Sequence, residues 1–134
     1  MEVSTYPAQF DDDSPEGAIR KLWKKLSRKH PRLFTMVRET IDAIERAKDL
    51  AFLEASGKVE RLPHCPEPIF VLKLPPSHSR EGVVRIYFGY VVGEPSHIWL
   101  LAAELKHGTS KDDPDKIKTA ILQYRILCQG KGND

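Results

Sequence analysis

With 134 residues, 40% of them hydrophobic and 30% charged, the chain suits one domain with a single core and is too apolar for a disordered segment. Lys plus Arg number 21 against 19 for Asp plus Glu, a formal charge of +2, so any electrostatic function must come from uneven placement of charge. No apolar run approaches the ~20 residues of a membrane span, the opening MEVSTYPAQFDDD has no basic-then-apolar signal pattern, and Cys65 and Cys128 form no CxxC pair. The expectation is a cytoplasmic protein with two free thiols.

Residues 1–13 read as an acidic tail, with Glu2, Asp11, Asp12 and Asp13 and no base, and with a short edge strand near Val3 to Tyr6. Ser14-Pro15-Glu16 is a helix start, Ser as N-cap and Pro at the first position. Ile19, Leu22, Trp23 and Leu26 recur at helical spacing and carry an amphipathic helix to Lys29. Its other face holds Arg20, Lys21, Lys24, Lys25, Arg28 and Lys29, and Arg32 follows; no acid lies among them. Such a block is either a solvated helix face or a contact for nucleic acid or an acidic partner, onto which the acidic tail could fold.

His30-Pro31 breaks the first helix. A second is expected from Pro31 to Leu53, with Phe34, Val37, Ile41, Ile44 and Lys48 along one stripe and Gly57 as terminator. VERLPHCPEP is a Pro-rich connection. Three short runs rich in β-branched and aromatic residues follow: IFVLKL (69–74), VVRIYFGYVV (83–92) and HIWLLAAELKH (97–107). The linkers PPSHSREG and GEPS make them a strand meander. A last helix opens at Asp112 or Asp113, with Ile117, Ala120, Ile121, Tyr124 and Leu127 on one stripe, and QGKGND (129–134) reads as a frayed tail. The predicted class is α+β: one domain over 14–128, a helical hairpin packed on a small antiparallel sheet, then a C-terminal helix.

Side chains alternate faces along a strand. Val84, Ile86, Phe88 and Tyr90 then share one face, opposite Arg85 and Tyr87. Phe70, Leu72 and Leu74 lie opposite Lys73, and Trp99, Leu101, Ala103 and Leu105 lie opposite Glu104 and Lys106. The helices would segregate to the apolar face. The other face would stay open and carry Lys73, Arg85, Tyr87, Glu104 and Lys106, a surface suited to a phosphate-bearing ligand. Simple solvation explains a lone Lys73 or Lys106 equally well. Arg85, inside an apolar strand, points to function or to a buried ion pair, with Glu104 one partner within reach. Tyr87 and Tyr124 fit packing as well as chemistry. His64 and Cys65 with His78 or His97 lack metal-ligand spacing, so neither metal nor cofactor is expected. No Gly-rich phosphate loop, GxSxG or HExxH occurs.

From Pro15 to Leu127 the order of elements, and several short motifs, resemble the RelE/ParE superfamily of bacterial type II toxins, closest to its HigB-like, phage-derived branch. LEASGKVERLP resembles the family's helix exit and linker. IFVLKL resembles the ELR strand, with Lys73 in place of arginine, and VVRIYF resembles the YRVxY strand, with Arg85 as its arginine. LLAAELKHGTS is similar to the strand ending in paired lysines, with Lys106 matching and His107 replacing the second. DPDKIKTAILQY resembles the closing helix. The long acidic N-terminal extension departs from the pattern.

The resemblance implies a RelE-like fold and a metal-independent endoribonuclease, an mRNA interferase acting on the ribosome and held inactive by a cognate antitoxin. In such chemistry the 2′-hydroxyl attacks the adjacent phosphate and a cyclic phosphate results, which needs a base, an acid and cations for the phosphorane charge. Arg85 would grip the phosphate, Lys73 and Lys106 would neutralise charge, His107 would act as acid or base, and Tyr87 would stack or donate a proton, with Tyr124 lining the cleft. Alternatives on the same scaffold are a ParE-like inhibitor that binds a protein such as DNA gyrase, or a catalytically silent partner-binding relative.

Overall fold

The structure is a computed structural model. It describes residues 1–5, 15–55, 59–75, 80, 82–94, 96–107 and 114–132. The expected caps at Ser14 and Asp112 or Asp113, the terminator Gly57, most of the PPSHSREG turn and the tail acids Asp11, Asp12 and Asp13 lie outside these residues. In chain order the elements are β1 (Glu2–Thr5), α1 (Pro15–Lys29), α2 (Pro31–Arg46), α3 (Leu50–Ala55), β2 (Val59–Arg61), β3 (Ile69–Leu74), β4 (Val83–Gly89), β5 (His97–Lys106) and α4 (Pro114–Gly132).

The α1–α2 corner turns on one residue. A residue before proline is pushed out of the helical region, and His30 takes φ −138°, ψ 63°. Its N–H still donates to Leu26 and its carbonyl accepts from Phe34, so the two helices meet almost without a loop. The single helix expected over 31–53 is instead two. Ala47 is extended, at φ −69° and ψ 147°. The amino group of Met1 sits on the carbonyls of Glu45 and Ala47, a favourable place for a cation at a helix C-terminus. Asp49 then stands just before Leu50, where an acid favours a new helix start.

The sheet has five strands in the order β1-β5-β4-β3-β2. β3 to β5 form the expected antiparallel meander; β2, which lies in the segment read as a Pro-rich connection, adds an antiparallel strand, and β1 pairs with β5 in parallel, so the sheet is mixed. The class is α+β. The short edge strand expected near Val3 to Tyr6 is β1, at one edge of the sheet, and α4 continues through the expected frayed segment to Gly132.

Each face of the sheet has its own apolar cluster. Phe70, Leu72, Leu74, Val84, Ile86, Phe88, Ile98 and Leu100 pack against Ile19 and Leu26 of α1 and Leu33, Val37 and Ile44 of α2. Ile69, Val71, Tyr87, Leu101 and Ala102 pack against Ala120 and Tyr124 of α4. The second face is therefore covered, which corrects the expectation of an open sheet with all helices on one side. The reason is visible in β3, where every residue but Lys73 is buried. Ile69 and Val71 carry too much apolar surface to leave in water, each worth about 1.5–3 kcal/mol when fully buried. A bulge also corrects the faces assigned to β5. Tyr87 pairs with Ala102 but Phe88 with Leu100, which leaves Leu101 as the extra residue. Trp99, Leu101 and Ala102 consequently face α4, while Ala103 and Leu105 join the hairpin side.

Candidate functional site

Lys73, Arg85 and Glu104 stand in direct register on three neighbouring strands, and Lys106 pairs with Val83 one step nearer the sheet's end. All four point to the α4 side. The expected row of charges thus exists, but its members differ sharply in access. Arg85 is 1% exposed, and its Nη1 lies 3.5 Å from Oε1 of Glu104, itself 9% exposed. Its guanidinium is buried against a carboxylate and does not reach an RNA backbone. Lys73 is 30% exposed, with Nζ 3.9 Å from Glu60 of β2, a loose and solvated pairing. Lys106 is half-buried and His107 exposed.

Gly82 shapes the strand end beside His107. It holds φ +106°, and a Cβ there would come within 3.1 Å of His107 Nδ1 and 3.0 Å of the Lys106 carbonyl. Glycine is the residue that tolerates both the dihedral and the approach. Among the described residues, the predicted site residues accessible at this end are Lys73, Lys106 and His107, two cations and an imidazole, with Glu60 beside Lys73.

Tyr87 and Tyr124 do not line an open cleft. Tyr87 is wholly buried under α4. Tyr124 donates its hydroxyl to the carbonyl of Tyr90 at 3.0 Å. Burial first, then a hydrogen bond with Cys128, pushes its phenol well above the usual range, so it stays protonated. The basic residues of α1 sit elsewhere again. Lys21, Lys24, Lys25, Arg28 and Lys29 are exposed and Arg20 partly so. They belong to the hairpin layer, on the opposite side of the sheet from Lys73 and Lys106, so the two basic groups do not merge into one surface.

Two polar clusters escaped the sequence reading. Arg125 of α4 donates from Nε and Nη2 to Oε1 of Glu67, at 2.9 and 2.8 Å, and the Cys65 thiol donates to Oε2 at 3.2 Å. Hydrogen bonds from its own backbone, from Cys65 and from Arg125 hold the Glu67 carboxyl below the usual carboxylate range. Burial, with the hydrogen bond to Glu67, pushes the Cys65 thiol up, which makes it a poor nucleophile. This cluster ties α4 to the segment before β3. At the other edge of the sheet, His97 lies between Ser4 and Glu2 and stacks on Trp99. Its signal was unreadable because β1 and β5 meet across the whole chain.

Among the described residues no three His, Cys, Asp or Glu side chains gather to hold a metal ion; His78 lies outside them. No described helix is long and apolar enough to cross a membrane. No protein-family model, curated protein or solved structure matches this chain.

Proposed function

We propose that this chain is the toxin of a type II toxin–antitoxin pair of RelE/ParE type, a cytoplasmic endoribonuclease that cuts mRNA on the ribosome and is restrained by a cognate antitoxin. The observation that carries the reading is the row Lys73, Arg85, Glu104 in register, with Lys106 and His107 continuing it to the sheet's end. His107, Lys73 and Lys106 keep the roles first assigned, and Arg85 takes a different one. His107 takes the proton of the attacking 2′-hydroxyl or returns one to the leaving 5′-oxygen. Lys73 and Lys106 neutralise the phosphorane. Arg85 is a positioning residue: its buried pair with Glu104 fixes the strand end from which Lys106 and His107 project. The exposed bases of α1 offer a second, sequence-independent contact for ribosomal RNA phosphates.

A second reading, a non-enzymatic binder of ParE type, is favoured by one observation, the engagement of Arg85 by Glu104 rather than by solvent. Induced expression in bacteria separates the two. Wild type should arrest growth and create new mRNA 5′ ends, and Lys106→Ala/His107→Ala should do neither at equal protein level. Arrest without new ends would favour the binder, and no arrest at all would count against both.

A further inference from the structure

β1 and β5 run parallel, with Glu2 opposite His97 and Ser4 opposite Trp99. Alternation along both strands sets these four side chains on one face of the sheet. Ser4 Oγ lies 2.9 Å from His97 Nε2, and Glu2 Oε2 lies 3.6 Å from His97 Nδ1. Trp99 stacks on the imidazole, with ring centroids 4.2 Å apart and planes at 15°. A hydroxyl, an imidazole and a carboxylate thus stand in order, with the ring held in plane by an indole. His97 is 20% exposed, Glu2 72% and Ser4 half-buried, so the cluster lies at the surface with its carboxylate end the more open.

The carboxylate at Nδ1 favours the tautomer with its proton there, which leaves Nε2 as the acceptor facing the serine. The 3.6 Å separation is longer than a hydrogen bond, and catalytic contacts in unliganded sites commonly tighten only when substrate binds. The backbone supplies a complement. Glu2 N–H donates to the carbonyl of Ser96, so β1 turns the amides of Glu2 and Ser4 toward β5. In a parallel ladder the intervening residues turn outward, which aims the Thr5 N–H at the outer edge of the sheet. The amide one residue after a nucleophile is a common oxyanion donor.

We propose that Ser4, His97 and Glu2 are the nucleophile, base and orienting carboxylate of a second activity, hydrolysis of small activated carboxylic esters. Ser4 Oγ attacks the ester carbonyl and its proton passes to His97 Nε2. The ester C–O bond breaks and the leaving alcohol takes that proton. Water then attacks the acyl-serine, gives a proton to Nε2, and Oγ recovers it as the carboxylic acid departs. The half-buried Trp99 ring stacked on His97 suits a small acyl ester with an aromatic leaving group. The site lies roughly 30 Å along β5 from Lys106 and His107, so it is independent of RNA cleavage.

The test is hydrolysis of p-nitrophenyl acetate by the purified full chain, with an alkyl fluorophosphonate label located by peptide mass spectrometry. The label should fall on Ser4, and Ser4→Ala should abolish both label and turnover while leaving RNA cleavage unchanged. His97→Asn should slow turnover by at least about 100-fold with the circular dichroism spectrum intact. Turnover no faster than buffer, a label on another residue, or wild-type turnover by Ser4→Ala would each overturn the proposal.

Discussion

The hairpin side of the sheet is sealed by aromatic and aliphatic side chains, from Phe70 and Phe88 to Leu26 and Val37, whereas the α4 side sets Ile69, Val71 and Leu101 beside Tyr87, Arg85 and Glu104. One side is held by area removed from water. The other depends in addition on a buried ion pair whose partners must both be present. The difference teaches that polar residues interrupting an apolar strand need not be an open surface; here the accessible Lys106 and His107 lie at a strand end.

The largest expected effect comes from unbalancing the polar side. Glu104→Ala leaves the Arg85 charge buried without its carboxylate and should lower unfolding free energy by about 3–5 kcal/mol. Replacing both, as Arg85→Met/Glu104→Leu, should recover most of that loss. A double-mutant cycle by urea unfolding checks it, and additive losses would show that the pair is not coupled. On the apolar side Phe88→Ala should cost a similar ~3–5 kcal/mol, but with no partner substitution able to restore it.

A smaller effect is expected where β4 meets α4. A Cβ on Gly89 would come within 2.9 Å of the Pro68 carbonyl and 3.3 Å of the Tyr124 ring. Gly89→Ala should therefore lower stability by roughly 1–3 kcal/mol through overpacking, read from the denaturation midpoint. Tyr124→Ala in the same background should relieve part of the strain. An unchanged midpoint in Gly89→Ala would mean that α4 sits less tightly than drawn.

The acid side of the stability curve gives a weaker but distinct signature. Glu67 has a folded-state pKa below its unfolded value, so its contribution is present above the unfolded pKa and is lost as pH falls through the folded one. Glu67→Gln should lower the melting temperature at neutral pH and flatten its fall below about pH 4.5, so that variant and wild type converge in acid. The smallest stability effect belongs to the accessible end. Lys73→Ala, Lys106→Ala and His107→Ala should each stay within about 0.5 kcal/mol of wild type, the usual range for surface changes, while abolishing RNA cleavage.

Much of this division was legible in the residues. The run IFVLKL marked β3 to the residue, and the periods of β3 and β4 placed Lys73, Arg85 and Tyr87 on one face. Glu104, Lys106, Ala103 and Leu105 were also placed correctly, although the bulge at Leu101 moved Trp99 and Leu101 to the face opposite the one that strict alternation assigns. The helix break at Ala47 is met by a contact from Met1, distant in sequence, and its local sign is Asp49 just before Leu50. Cover of the second face by α4 was foreshadowed by the apolar Ile69 and Val71, which alternation alone treats as edge residues. The Ser4–His97 contact rests on parallel pairing across the length of the chain, and no spacing rule reaches that far.

The central claim is that the strand end, and not the buried arginine, performs RNA chemistry. The most direct measurement is the 3′-end chemistry of mRNA fragments released from translating ribosomes by the purified chain. Wild type should leave 2′,3′-cyclic phosphates, and Lys106→Ala/His107→Ala should leave the message intact at an unchanged melting temperature. Fragments from the double variant equal to wild type, or no cleavage by wild type, would contradict it.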